Sequence, residues 1–185
     1  HDVNVKIKKR QHTGVDGQVA LALKLARHTP RYTENPAGSN TDRGGPIDQA
    51  QKEVGISASY YCGAGAHYLA LHGGGVNLTP EIRYCPYAEQ HARNGTGGFL
   101  RLVPAHQIRR GMLVTFDEGG IAGHIETAVE DVDTHHETIH TVGWNTSPDG
   151  SDGSQANGGG IFERHARPLG GGFPVRYGLE IRWQH

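Results

Sequence analysis

The chain has 185 residues, with 18 Lys and Arg against 19 Asp and Glu, for a formal net charge of -1. That length suits one domain and is short for two, and the near-neutral balance argues against a duplex-DNA binder, which normally carries a basic surplus. Its longest apolar run, Val19 to Leu23, falls far short of the ~20 residues that span a bilayer, and residues from His1 onward lack the three regions of a secretory signal.

The 28 glycines, about twice average usage, exclude a helical bundle and point to tight turns and long loops. Val3, Val5 and Ile7 alternate with Lys6 and Lys8, the period of a half-buried strand, so residues 1–15 read as an N-terminal strand or extension before a single domain over 16–185. Asp16 is a helix N-cap candidate, and Val19, Ala22, Leu23 and Ala26 recur at helical spacing up to Thr29-Pro30. Residues 33–50, with Asn35-Pro36 and Gly44-Gly45-Pro46, read as a loop. A second helix is expected over 57–71. Gly63 and Gly65 inside it cost about 1 kcal/mol each against Ala, which points to something packed very close. Residues 76–98 read as irregular, with a short helical turn over 104–109. Strands follow at 112–116, 121–132, 138–144, 160–167 and 175–183, with a hairpin tip at 133–136 and a Gly/Ser/Asp loop at 146–159. Helices followed by an antiparallel sheet make the class α+β.

Cys62 falls near the start of the second helix, where free backbone N–H groups and the macrodipole favour a thiolate and can bind an oxyanion. A buried structural cysteine is the commoner role for a single Cys. His124 opens an apolar strand in Gly-Gly-Ile-Ala-Gly-His-Ile-Glu, and Asn145 ends the next in Thr-Val-Gly-Trp-Asn. A Cys on a helix with a His and an Asn on adjacent strands is a thiol-hydrolase arrangement: Cys62 attacks a carbonyl, His124 keeps it ionised and protonates the leaving amine, and Asn145 orients the imidazole.

Three segments carry a family resemblance: Tyr60-Tyr61-Cys62-Gly63-Ala64; Gly111 to Asp117 followed by Gly123-His124-Ile125; and Asn145-Thr146-Ser147 with Gly153 to Arg164. With the first helix they span about residues 16–170, and the chain resembles the CHAP domain, the cysteine- and histidine-dependent amidohydrolase/peptidase module of phage endolysins. The resemblance implies a papain-like fold, with N-terminal helices on an antiparallel sheet of about five to six strands. It implies peptidoglycan as substrate, cut by an endopeptidase or an N-acetylmuramoyl-L-alanine amidase, with no cofactor. It also implies action on the bacterial cell wall; with no signal peptide or transmembrane segment in view, a phage-encoded chain that reaches the wall by other means is expected, and the neutral charge and short apolar runs point to neither nucleic acid nor membrane insertion. Many members place an acid two residues before the asparagine, where this chain has Gly143. The third role then falls on Asn145 or on Glu126, which shares a strand face with His124; Asn145 is the preferred choice.

Tyr60, Tyr61, Trp144 and Gln155 are the candidates for the oxyanion site or groove. Asn40, Asp42 and Asp48 offer oxygen ligands for calcium just before the catalytic helix, although a polar loop is the default and the spacing is not that of an EF-hand. His135, His136 and His140, near Asp131, Asp133 and Glu137, lack the spacing of a zinc site and read as solvated. Cys85 is expected to be a spectator in its loop; a bridge to Cys62 would instead make the chain an inactive wall-binding or virion structural module.

Overall fold

The computed structural model describes residues 13–184. The strand expected over the first ten residues, with Lys6, Lys8, Lys9 and Arg10, lies outside them. Four helices, α1 (Gly14–Ala26), α2 (Pro46–Glu53), α3 (Cys62–Tyr68) and α4 (Cys85–Asn94), precede six strands, β1 (Phe99–Pro104), β2 (Leu113–Glu118), β3 (Ile121–Ala128), β4 (Thr138–Thr146), β5 (Gly160–Pro168) and β6 (Val175–Ile181). The strands form one sheet in the order β1-β6-β2-β3-β4-β5, and every neighbouring pair is antiparallel. This is the α+β arrangement expected from the sequence. No helix among the described residues is long and apolar enough to cross a membrane.

Helix α1 starts three residues earlier than Asp16 suggested. Thr13 is its N-cap, and Asp16 lies in its first turn, paired with Arg110. Two helices fall where the sequence reads as loop. Helix α2 begins on Pro46, whose fixed φ and missing N–H suit the first helical position. Helix α4 carries Pro86 in its first turn and ends on Gly95, whose φ of 66° is the left-handed C-cap that glycine adopts readily. Proline and glycine here mark the ends of helices rather than their absence. Strand β1 was also unforeseen; it pairs with β6 at the edge of the sheet.

Helix α3 begins at Cys62, not at residue 57, and continues into a π-helical turn over Leu69–Gly73. It lies across β3 and β4. Its two interior glycines are contact points: a Cβ at Gly63 would collide with the Ile82 carbonyl, and one at Gly65 with the Trp144 indole. Only a bare backbone lets α3 wedge between the Pro80–Arg83 turn and β4, and this wedge fixes the position of Cys62 over the sheet.

Candidate active site

Cys62 is the first residue of α3, 5% exposed, at the floor of a cleft of about 360 Å³. Tyr60, Tyr84, Glu118 and Asn157 stand around that cleft. Behind the thiol, His124 on β3 is fully buried. Its Nε2 bonds Glu126 Oε2 at 2.7 Å. Nδ1 has no hydrogen-bond partner among the described residues and is the ring nitrogen left to the Cys62 thiol, with which the imidazole interacts.

Glu126 is itself held on every side. Its Oε1 accepts from Thr141 Oγ1 at 2.6 Å and from Arg167 Nε at 2.6 Å, and its Oε2 accepts from Arg167 Nη2 at 2.7 Å. Arg167, on β5, is 5% exposed and also donates to Gln155 and Thr146. Burial alone would raise the Glu126 carboxyl, but Arg167 and then His124 outweigh it and hold the group well below the usual carboxylate range. Burial likewise works to lower His124; Cys62 and Glu126 overcome it and raise the imidazole to about 9. The ring is therefore an imidazolium at neutral pH, with Nε2–H fixed on a carboxylate.

The partner of His124 is thus Glu126 and not Asn145, which corrects the preferred sequence reading. The β3–β4 register pairs Glu126 with Gly143, and two residues further along it would set His124 opposite Asn145. A bulge at Trp144/Thr146 and a φ of 58° take Asn145 out of strand geometry. Its Oδ1 accepts from the Tyr61 backbone N–H at 3.3 Å, and its Nδ2 donates to Asn157 Oδ1 at 2.9 Å. Asn145 ties the residue before the nucleophile to the 146–159 loop, a positioning role. Gly143 has a reason of its own: a Cβ there would collide with the Glu126 carboxylate.

Cys85 is no spectator. It opens α4 directly beside the start of α3, with its Sγ 3.6 Å from Cys62 Sγ, and both thiols are free. The Cys85 thiol lowers that of Cys62 well below its ordinary range; burial opposes, and His124 adds to the lowering. Cys85 is pushed up in turn, first by that same hydrogen bond and then by burial. One thiolate with an S–H donor beside it is the arrangement these shifts describe.

The groove candidates separate. Tyr60, 61% exposed, stands at the cleft mouth. Tyr61 is buried beneath it, its hydroxyl donating to Glu34 Oε2 at 3.0 Å, so it is a core residue. Trp144 is buried against Gly65 and Tyr68 and forms no groove wall. Gln155 accepts from Arg167 and lies away from the cleft. In the loop read as a calcium candidate, the carboxylate oxygens accept from backbone donors. Asp42 accepts from the N–H groups of Ile47 and Asp48, and Asp48 from those of Asp42 and Gly44. Asn40 gives its carbonyl to Gln51. The pair of aspartates closes the turn into α2. Of the histidine cluster, His135 and His136 donate their backbone N–H groups to the Asp133 carboxylate on the exposed hairpin, while His140 faces β5.

Comparison with family models, with curated proteins and with solved structures finds no match to this chain.

Proposed function

We propose that the chain is a thiol hydrolase of peptide or amide bonds in bacterial peptidoglycan, with Cys62 as nucleophile, His124 as acid and base, and Glu126 as the residue that orients it. The observation that carries this reading is the buried line Cys62–His124–Glu126, opening on a cleft through the thiol alone. Peptidoglycan as substrate, an action at the cell wall and a phage lysin as setting rest on the CHAP resemblance of the three motif segments.

The Cys62 thiolate attacks the scissile carbonyl carbon, and the electron pair moves to oxygen. Collapse of the tetrahedral adduct breaks the C–N bond, and His124 gives its Nδ1 proton to the departing amine. The neutral imidazole then takes a proton from water, whose hydroxide attacks the thioester. The acid leaves, and thiolate and imidazolium are restored. Throughout, Glu126 keeps the Nε2–H tautomer and stabilises the cation, as the third member of a triad does.

A second reading draws on the 3.6 Å between the sulfurs: joined to Cys85, Cys62 has no nucleophile to offer, and the chain becomes a wall-binding or virion structural module. Two measurements separate the readings. Peptidoglycan digested with the wild-type protein and analysed by mass spectrometry should show new amine and carboxyl ends, absent with Cys62→Ser. Iodoacetamide should alkylate Cys62 at neutral pH. No cleavage together with an unreactive Cys62 would reject the enzyme.

A further inference from the structure

On β4 and β5, three side chains converge that the mechanism does not use. His140 on β4 points its Nε2 at Glu163 Oε2, 2.7 Å away, and His165, two residues after Glu163 on β5, points its own Nε2 at the same oxygen, 3.2 Å away. The two rings stack at 5.0 Å, and the three ligand atoms lie within 4.8 Å of one another.

The other nitrogen of each ring is already committed. His165 Nδ1 bonds Asp149 Oδ2 at 2.7 Å, and His140 Nδ1 faces Glu130 Oε2 at 3.3 Å. Each ring therefore presents Nε2 to Glu163 and Nδ1 to a second carboxylate, and an outer carboxylate on the far nitrogen is the usual setting of a metal-bound imidazole. Two ring nitrogens and a carboxylate oxygen thus converge on one point, a donor set that a divalent cation can take up. Asp149 is held in turn by Arg164 and by the His165 backbone N–H, so the outer carboxylate of that histidine is fixed.

We propose that His140, Glu163 and His165 form a binding site for a divalent transition-metal ion, with Zn2+ as the fitting type and water as its fourth ligand. Two imidazoles and one carboxylate suit zinc rather than calcium or magnesium, which prefer all-oxygen shells. Ligands ~2.0–2.1 Å from a tetrahedral zinc lie about 3.3 Å apart; His165 Nε2 already stands 3.2 Å from Glu163 Oε2, while His140 Nε2, at 2.7 Å, must draw back to admit the ion. Arg27 bonds both oxygens of Glu163, through Nε at 2.7 Å and Nη2 at 2.9 Å. Its side chain is 58% exposed, so it can keep Oε1 and give up Oε2 to the metal. His165 is 65% exposed and provides the way in. The bound ion would cross-link β4 to β5 and, through Asp149, steady the 146–159 loop whose Asn157 stands at the cleft.

The test uses the Cys62→Ser/Cys85→Ser protein, so that thiols cannot bind the metal. After chelator treatment and buffer exchange it is titrated with Zn2+ by calorimetry and with Co2+ by visible absorption. One equivalent should bind, with the d–d bands of tetrahedral cobalt. His140→Ala and His165→Ala should each weaken binding by more than about tenfold, and Asp149→Asn by about 10–100-fold as an outer-shell change. Circular dichroism of each variant checks that it folds; His165, being exposed, is the safer of the two. Absence of saturable binding, binding unchanged in both histidine variants, or loss of binding with His136→Ala instead would overturn the proposal. None of these readouts depends on hydrolysis, so they stand or fall apart from the enzymatic reading.

Discussion

Cys85→Ala isolates what the second thiol does for the first. In the structure the Cys85 S–H is the leading influence that lowers Cys62, from 3.6 Å away. A hydrogen bond to a charged acceptor contributes about 1.5–3 kcal/mol, and one pKa unit corresponds to about 1.4 kcal/mol. Removing the donor should therefore raise the apparent pKa of Cys62 by about one to two units. Cys85→Ser keeps an O–H donor at that position and should shift it less. The assay is the pH dependence of iodoacetamide alkylation; in Cys85→Ala Cys62 is the one remaining cysteine, and in the wild type mass spectrometry of the labelled peptide assigns the site. Thermal unfolding of the variants separates a local change from loss of the fold. A Cys85→Ala profile that superimposes on the wild type would refute the reasoning, as would alkylation of Cys85 ahead of Cys62.

The hydrolytic rate should rise as Cys62 ionises, which its lowered pKa places below the ordinary cysteine range, and fall as His124 loses its proton near pH 9. Glu126→Gln removes an anion that raises His124, so the upper limb should move to lower pH in the pH–rate profile. Hydrogen peroxide should turn the Cys62 thiolate into a sulfenic acid, on which the Cys85 thiol condenses with release of water. The product is a disulfide, detectable as the loss of two hydrogens by intact mass and reversible by dithiothreitol, whereas Cys85→Ser should stop at the sulfenic acid or pass to higher oxides. Gly65→Ala drives a methyl into Trp144 and should destabilise the fold by about 1–3 kcal/mol, read as a lower denaturant midpoint.

Much of this site was legible because its signals are local. A cysteine at a helix start needs only the apolar spacing after it, and a histidine at a strand start only the alternation that follows. Gly63 and Gly65 announced close packing because glycine in a helix costs stability that a contact must offset. The identity of the third residue was not local. Strand geometry put Glu126 on the face of His124, but it also put Asn145 opposite. The positive φ that turns Asn145 toward Tyr61 comes from a bulge that leaves no mark in the sequence. Arg167, which decides the matter by keeping Glu126 charged, is 41 residues away and reads as an ordinary basic residue of an outer strand. Cys85 was missed for a similar reason. Only the docking of α4 beside α3 brings it to Cys62, and the prolines and glycines that bound α2 and α4 masked both helices.

Position 143, two places before Asn145, is a glycine, and the Glu126 carboxylate lies directly against it. Glu126 is the direct cross-strand partner of Gly143, and its carboxylate fills the space a side chain at 143 would occupy. The two positions are therefore alternative origins for one carboxylate, and they exclude each other sterically. Glu126→Gly alone should lower activity sharply and destabilise the protein, because it leaves Arg167 buried without its partner, a loss of about 3–5 kcal/mol. Gly143→Glu alone should also be harmful, since it forces two side chains and two like charges into one site. The double variant Glu126→Gly/Gly143→Glu removes the collision and returns a carboxylate to Arg167 and to His124 Nε2 from the neighbouring strand. It should recover both stability and rate relative to Glu126→Gly, a positive coupling measurable in a double-mutant cycle. Thermal unfolding and the hydrolytic rate, taken together, give the two coupling energies. If the double variant is no better than the sum of its parts, position 143 cannot supply the carboxylate and the two strands are not interchangeable in this role.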